Sequence, residues 1–148
     1  MRQASKNATL LVSIPNVNTM LDHVGLHVED FADSMSFYEK SLAPLGIKPL
    51  HGEAGSYFGF GDTRPFFWIS TSSERQPHAT AVHIAFAAKN KEEVNAFHAA
   101  ALAAGGKDNG APGYRVEYHA GYYGAFVLDV DGNNVEAVYH DMSLMKVA

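Results

Sequence analysis

Apolar and polar positions alternate along Leu21 to Val28, and Val82 to Ala88 forms a second β-rich run, so both predict strands. Each is followed by a helical pattern. After Glu29-Asp30, the residues Phe31, Met35, Tyr38, Leu42 and Leu45 recur at i, i+4, i+7, i+11 and i+14, and Pro44-Leu45-Gly46 ends the run. The second helix opens at Asn90, where Glu92 and Glu93 complement the positive end of the helix dipole. It turns Val94, Phe97, Ala101 and Leu102 inward and stops at Gly105-Gly106, glycine being suited to a left-handed cap.

These two stretches are copies of each other. Laying His23 to Gly46 over His83 to Gly106 without a gap gives identities at His23/His83, Phe37/Phe97, Leu42/Leu102, Ala43/Ala103 and Gly46/Gly106. Chance alone predicts roughly one identity in fifteen to twenty positions. Short strands are expected after each helix: Ile47 to Leu50, Ser56 to Gly61 and Pro65 to Ser70, then Arg115 to Ala120, Tyr122 to Asp129 and Asn134 to His140. Asp131-Gly132-Asn133 reads as a hairpin turn between the last two. The reading is an α+β chain of two tandem βαβββ modules that form a curved mixed sheet around a shared pocket. Residues 20–141 form one domain, with module one at 20–75 and module two at 80–141. Residues 1–19 read as an N-terminal appendage and 142–148 as a tail.

Composition narrows the function classes. A chain of 148 residues supports one good core and not two. A net charge of −5 argues against nucleic acid or an anionic membrane as partner. The run Thr9 to Ile14 is too short for a secretory core, and no stretch reaches the ~18 apolar residues of a membrane span. With no cysteine, there is no disulfide frame, thiolate site or cysteine nucleophile, which suits the cytoplasm. Eight histidines are many for this length.

Alternation puts His23, Gly25 and His27 on the face opposite Val24, Leu26 and Val28, whose apolar set must meet the helix. His83 takes the equivalent place in the second copy. In the last strand Asn134, Glu136, Val138 and His140 share the concave face. His23, His83 and Glu136 are therefore the candidate ligands for a divalent metal, Zn, Fe, Ni or Mn. Glu136 is also the first candidate catalytic group, because a carboxylate in a core strand needs a partner. The glycine-rich loop Lys107 to Tyr123 offers Asn109 and Arg115 for an anionic or carbonyl substrate, and His119 or Tyr123 for proton transfer. His27 and Trp68 are expected to line the pocket. His140 is expected at an exposed strand end, while His51, His78 and His98 fall in loops or on a helix surface.

The segment LDHVGLHVEDFADSMSFYEKSLAPLG resembles the opening of vicinal oxygen chelate proteins, and FVLDVDGNNVEAVYH resembles their closing hairpin. That group contains glyoxalase I, the bleomycin-resistance proteins and the extradiol dioxygenases. The resemblance implies ligands at His23, His83 and Glu136. It also implies a further glutamate late in the first module, where this chain has Trp68, so the remaining set is similar to the two-histidine, one-carboxylate triad of the dioxygenases. The resemblance implies an enzyme with glyoxalase-like lyase or isomerase chemistry, or extradiol-type dioxygenase chemistry, on a small-molecule substrate. The alternative is a metal-free protein that sequesters an aromatic or drug-like ligand. The resemblance further implies a homodimer whose pockets draw on two chains.

Overall fold

The computed structural model describes residues 21–145. The expected N-terminal appendage lies outside the described residues. Module one runs β1 (Val24–Val28), α1 (Phe31–Leu42), a 3-10 turn (Ala43–Leu45), β2 (Lys48–Glu53), β3 (Tyr57–Gly61) and β4 (Pro65–Thr71). Module two runs β5 (His83–Ala87), α2 (Lys91–Ala103), β6 (Lys107–Tyr114), β7 (Tyr122–Leu128) and β8 (Asn134–His140), and a 3-10 turn comes after it at Met142–Leu144. The strands fall into two four-stranded mixed sheets, ordered β1-β4-β3-β2 and β5-β8-β7-β6. In each sheet the first strand runs parallel to the last, and the remaining pairs are antiparallel. The repeat read from the sequence is thus a repeat of topology. No helix among the described residues is long and apolar enough to cross a membrane.

The helices begin where their polar residues can satisfy free backbone N–H groups. The Asp30 carboxylate accepts from Asp33 N at 2.9 Å, and Asn90 Oδ1 accepts from Glu93 N at 2.8 Å. Glu93 reaches back to Lys89 N at 2.8 Å, closing a reciprocal cap. Gly46 (φ 75°) and Gly105 (φ 97°) supply the left-handed residues beyond the helices.

Both helices pack on their sheets to form one core. Leu26, Val28, Phe60, Phe67 and Ile69 face α1, and Phe86, Ala125, Val127, Val135 and Ala137 face α2, all buried. Phe67 and Phe86 meet edge to face at 5.3 Å and join the two halves. A second tie is polar: Tyr38 of α1 donates to Asp129, at the start of the β7–β8 turn, at 2.5 Å.

The structure corrects four expectations. The buried stripe of α1 is Ser34, Phe37, Tyr38, Ser41 and Leu42, while Phe31 and Met35 are only half-buried. Small serines occupy two of the buried positions, where the hydrophobic pattern expects bulkier residues. Leu102 is 37% exposed, since α2 buries Val94, Phe97 and Ala101 instead. His51 lies in β2 and not in a loop. Finally, Lys107–Tyr114, expected as loop, is strand β6, and the strand expected at Arg115 to Ala120 is part of the turn that leads into β7. A segment KDNGAPGY has little intrinsic strand preference, and only its pairing with β7 makes it one. The bulges lie between Asp108 and Gly110 and between Gly110 and Gly113, around Pro112, as an edge strand allows.

Candidate active site

The inner residues of sheet two converge on Glu136. Its register partners are Ala85 on β5 and Phe126 on β7, which places all three on one face. The carboxylate is 1% exposed. Two groups face it. The Tyr122 phenol donates a hydrogen bond to Oε1, and His83 Nε2 lies 3.1 Å from Oε2. Gly124 leaves the room this needs: a Cβ there would stand 3.0 Å from Oε1 and 3.2 Å from the Tyr122 ring.

The second histidine nitrogen fixes the ring. His83 Nδ1 sits 3.1 Å from the carbonyl of Asn134, which can only accept, so Nδ1 carries a proton. In the neutral ring Nε2 then holds a lone pair that points at a carboxylate oxygen. That contact is favourable only with a positive charge between the two atoms, either a proton on Nε2 or a shared cation. A ring tied by Nδ1–H to a carbonyl is also how metal-bound histidines are commonly oriented. His83 and Glu136 thus fit as two neighbouring ligands of one divalent ion. Among the described residues no group of three potential ligands converges.

The other candidates have separate places around this pair. Asn109 Nδ2 donates to Asn134 Oδ1 at 3.1 Å, bracing the residue that orients His83. The Arg115 guanidinium lies 5.5 Å over the Phe126 ring, and His83 stacks on the same ring at 6.2 Å. His119 Nδ1 accepts from Gly121 N at 3.2 Å, and its Nε2 lies 3.0 Å from His140 Nδ1. Both of these rings pack edge-on against Tyr122 at 5.4 Å, and neither bonds to Glu136. Tyr123 occupies the opposite face of β7 and donates to Asn95 Oδ1 of α2 at 2.8 Å.

Trp68 and His27 belong to the other sheet, and His23 stands just before its first strand, β1. Gly25 pairs with Trp68 as Ala85 pairs with Glu136, so Trp68 occupies in module one the place that Glu136 holds in module two. His27 comes next on the same face, half-buried, with a buried Nδ1 that has no hydrogen-bond partner. His23 is exposed and pairs with Asp22 at 2.8 Å. The His23 hydrogen bond, with Arg64 nearby, holds the Asp22 carboxyl below its usual range. His23 borders a cavity of about 570 Å³ whose walls include Phe66, Ile84 and Phe86, and which neither His83 nor Glu136 lines.

The residue that sequence reasoning passes over is Tyr122. Counting back from the 131–133 turn along the antiparallel pair puts it on the Glu136 face, so the signal is present. Burial, then the hydrogen bond and charge of Glu136, push its phenol well above the usual value near 10. A raised phenol contributes stability that is complete below pH ~10 and is lost as pH rises through the folded-state value. Tyr122→Phe should therefore lose stability less steeply than the wild type above pH ~10, by one proton's linkage. Urea unfolding from pH 9 to 11 measures this, and parallel slopes would refute it.

Comparison with known proteins decides the family. The profile of the Glyoxalase/Bleomycin resistance protein/Dioxygenase superfamily matches residues 20–137. The chain belongs to that superfamily. A glyoxalase/bleomycin resistance protein from Albidiferax ferrireducens is 32% identical, with 81% of this chain and 98% of that chain covered at a TM-score of 0.70. A lactoylglutathione lyase from Agrobacterium tumefaciens is 18% identical, covering 78% and 90% of the two chains at a TM-score of 0.57. A fosfomycin resistance protein from Listeria monocytogenes, solved with Mn(II) and a dihydroxypropylphosphonic acid, is 20% identical and covers 79% and 86% at 0.57. At these lower identities the last two show the superfamily fold alone. None of the curated proteins matches the chain.

Proposed function

We propose that the chain is a metal-dependent enzyme of its superfamily that acts on a small oxygenated substrate, a hydroxycarbonyl or a catechol-like diol. The observation that carries this reading is His83 Nε2 facing the buried Glu136 carboxylate while Nδ1–H is held by Asn134. A divalent ion held there supplies Lewis acidity to vicinal oxygens of the substrate. Glu136 is the group placed to take a proton from a substrate carbon or hydroxyl. Tyr122 keeps its own proton at neutral pH and orients that carboxylate through Oε1. Phe126 stacks on His83 and gives the pair an apolar neighbour on the β7 side.

His23 completes the ligand set from a second copy of the chain. Two facts support this: His23 is the repeat mate of His83, and within one chain it belongs to the other module, just before β1. In such a homodimer the Trp68 face of one copy covers the Glu136 face of the other. Lyase or isomerase chemistry on a hydroxycarbonyl suits one carboxylate beside one phenol, and the same donors serve extradiol-type ring cleavage.

A second reading, a metal-free protein that binds an aromatic ligand, is favoured by Trp68. Its indole packs with His51 at 6.4 Å and Tyr57 at 6.3 Å, and Gly59 gives it room, since a Cβ there would stand 2.8 Å away.

Elemental analysis of metal-reconstituted protein separates the two. Near one ion per chain is expected in wild type, and loss of the ion in folded Glu136→Ala, His83→Ala and His23→Ala. Retention in His23→Ala would remove the second copy from the site. No ion in wild type would overturn the enzyme reading and leave the ligand-binding one.

A further inference from the structure

We infer that Arg115 and the glycine bulges of β6 form a subsite for an oxyanion, a phosphate or carboxylate borne by the substrate beyond its reacting end. The subsite narrows the substrate to an anionic hydroxycarbonyl or diol, and in that respect it rests on the function proposed above. The backbone N–H of Arg115 donates to Tyr122 O at 2.8 Å and closes the β6–β7 connection. Its side chain then doubles back along β6. One guanidinium nitrogen donates to Ala111 O at 2.6 Å, and the plane settles over Phe126.

That path exists because two positions carry no side chain. A Cβ on Gly113 would lie 3.0 Å from one guanidinium nitrogen, and a Cβ on Gly110 would lie 3.4 Å from the other and 2.9 Å from Phe126. Gly110 has a φ of 153°, and both residues sit at the register shifts of β6. The irregularity of this strand therefore makes a seat for one cation.

The cation is not spent within the chain. A guanidinium has five N–H donors, and one is engaged here. Among the described residues no ion pair includes Arg115, although the chain carries 16 acidic residues against 11 basic ones. It shares its supporting ring, Phe126, with His83. A partly desolvated, planar donor with free N–H groups is a matched receptor for two oxygens of a phosphate or carboxylate.

The test uses metal-free protein in chelator, so that it reads the subsite apart from metal binding. Inorganic phosphate and dihydroxyacetone phosphate are titrated and monitored by the Arg115 side-chain N–H signals and by calorimetry, with neutral dihydroxyacetone as comparison. Both anions are expected to bind the wild type and to shift those signals, whereas dihydroxyacetone does not shift them. Arg115→Gln removes the charge and the hydrogen bond to Ala111 O, and it should weaken both anions at least about tenfold in protein that circular dichroism shows to remain folded. Gly113→Ala, which crowds the guanidinium, should weaken them in the same direction. Equal binding by wild type and Arg115→Gln, or no binding of either anion to wild type, overturns the subsite. Anion binding by a protein that takes up no metal supports the subsite while the metal reading fails. Metal uptake with no anion binding does the reverse.

Discussion

Asp129→Ala is expected to lower the free energy of unfolding by about 3–5 kcal/mol, because it leaves several buried donors without their shared acceptor. The Asp129 carboxylate is 5% exposed and accepts four hydrogen bonds. They come from Tyr38 Oη at 2.5 Å, Asp131 N at 2.9 Å, Asn133 N at 2.8 Å and Asn133 Nδ2 at 3.0 Å. Alanine leaves the donors without an acceptor where little water reaches. The Tyr38 ring is wholly buried, and desolvation together with the Asp129 charge raises its phenol far above the usual value, so its proton stays in place. Tyr38→Phe removes one donor and leaves three bonds intact, so it should cost only about 1–2 kcal/mol. Urea unfolding measures both. A loss below about 1 kcal/mol for Asp129→Ala would mean that the network is a consequence of the fold and not one of its supports.

Phe67→Ala is expected to cost a similar amount, about 3–5 kcal/mol, for a different reason. Phe67 is wholly buried and its ring meets Tyr38 at 4.8 Å, Phe60 at 6.0 Å and Phe86 at 5.3 Å. Phe67, Tyr38 and Phe60 are in module one and Phe86 is in module two, so the hole opens between halves that cannot both collapse into it. Scanning calorimetry should show one transition at a markedly lower temperature. Two separated transitions would show instead that the modules melt independently and that Phe67 is their main link.

The features legible in the sequence are those that repeat or alternate. The helix starts at Asp30 and Asn90, the parallel first strands and the last strand from Asn134 to His140 all carry period or punctuation that local chemistry enforces. Strand β6 is not legible, because Lys107 to Tyr114 has no alternation and becomes strand only through its neighbour. The α1 stripe is misjudged for a related reason: Ser34 and Ser41 are buried although polar, and a hydrophobic pattern does not mark small polar residues as buried. At the site, the repeat locates His83 and alternation locates Glu136, and the structure brings those two together. Tyr123 stands out over Tyr122 only when register is not counted across the β7–β8 turn, since adjacent strand residues face opposite ways. His23 can be matched to His83 by sequence, but sequence carries no statement of which sheet meets which.

The bulged outer strands have a bearing on the life of the protein outside its chemistry. β2 and β6 stand at the rims of their sheets, and each carries a proline at or within a break in register, Pro49 before the shift to His51 and Pro112 between Gly110 and Gly113. A rim with a missing N–H and a kinked backbone is a poor template for a foreign strand. The irregularity that seats Arg115 therefore also guards against runaway association between chains. Straightening β6, for example by replacing Pro112 and the bulge glycines with β-branched residues, would give a flatter sheet at the risk of fibres.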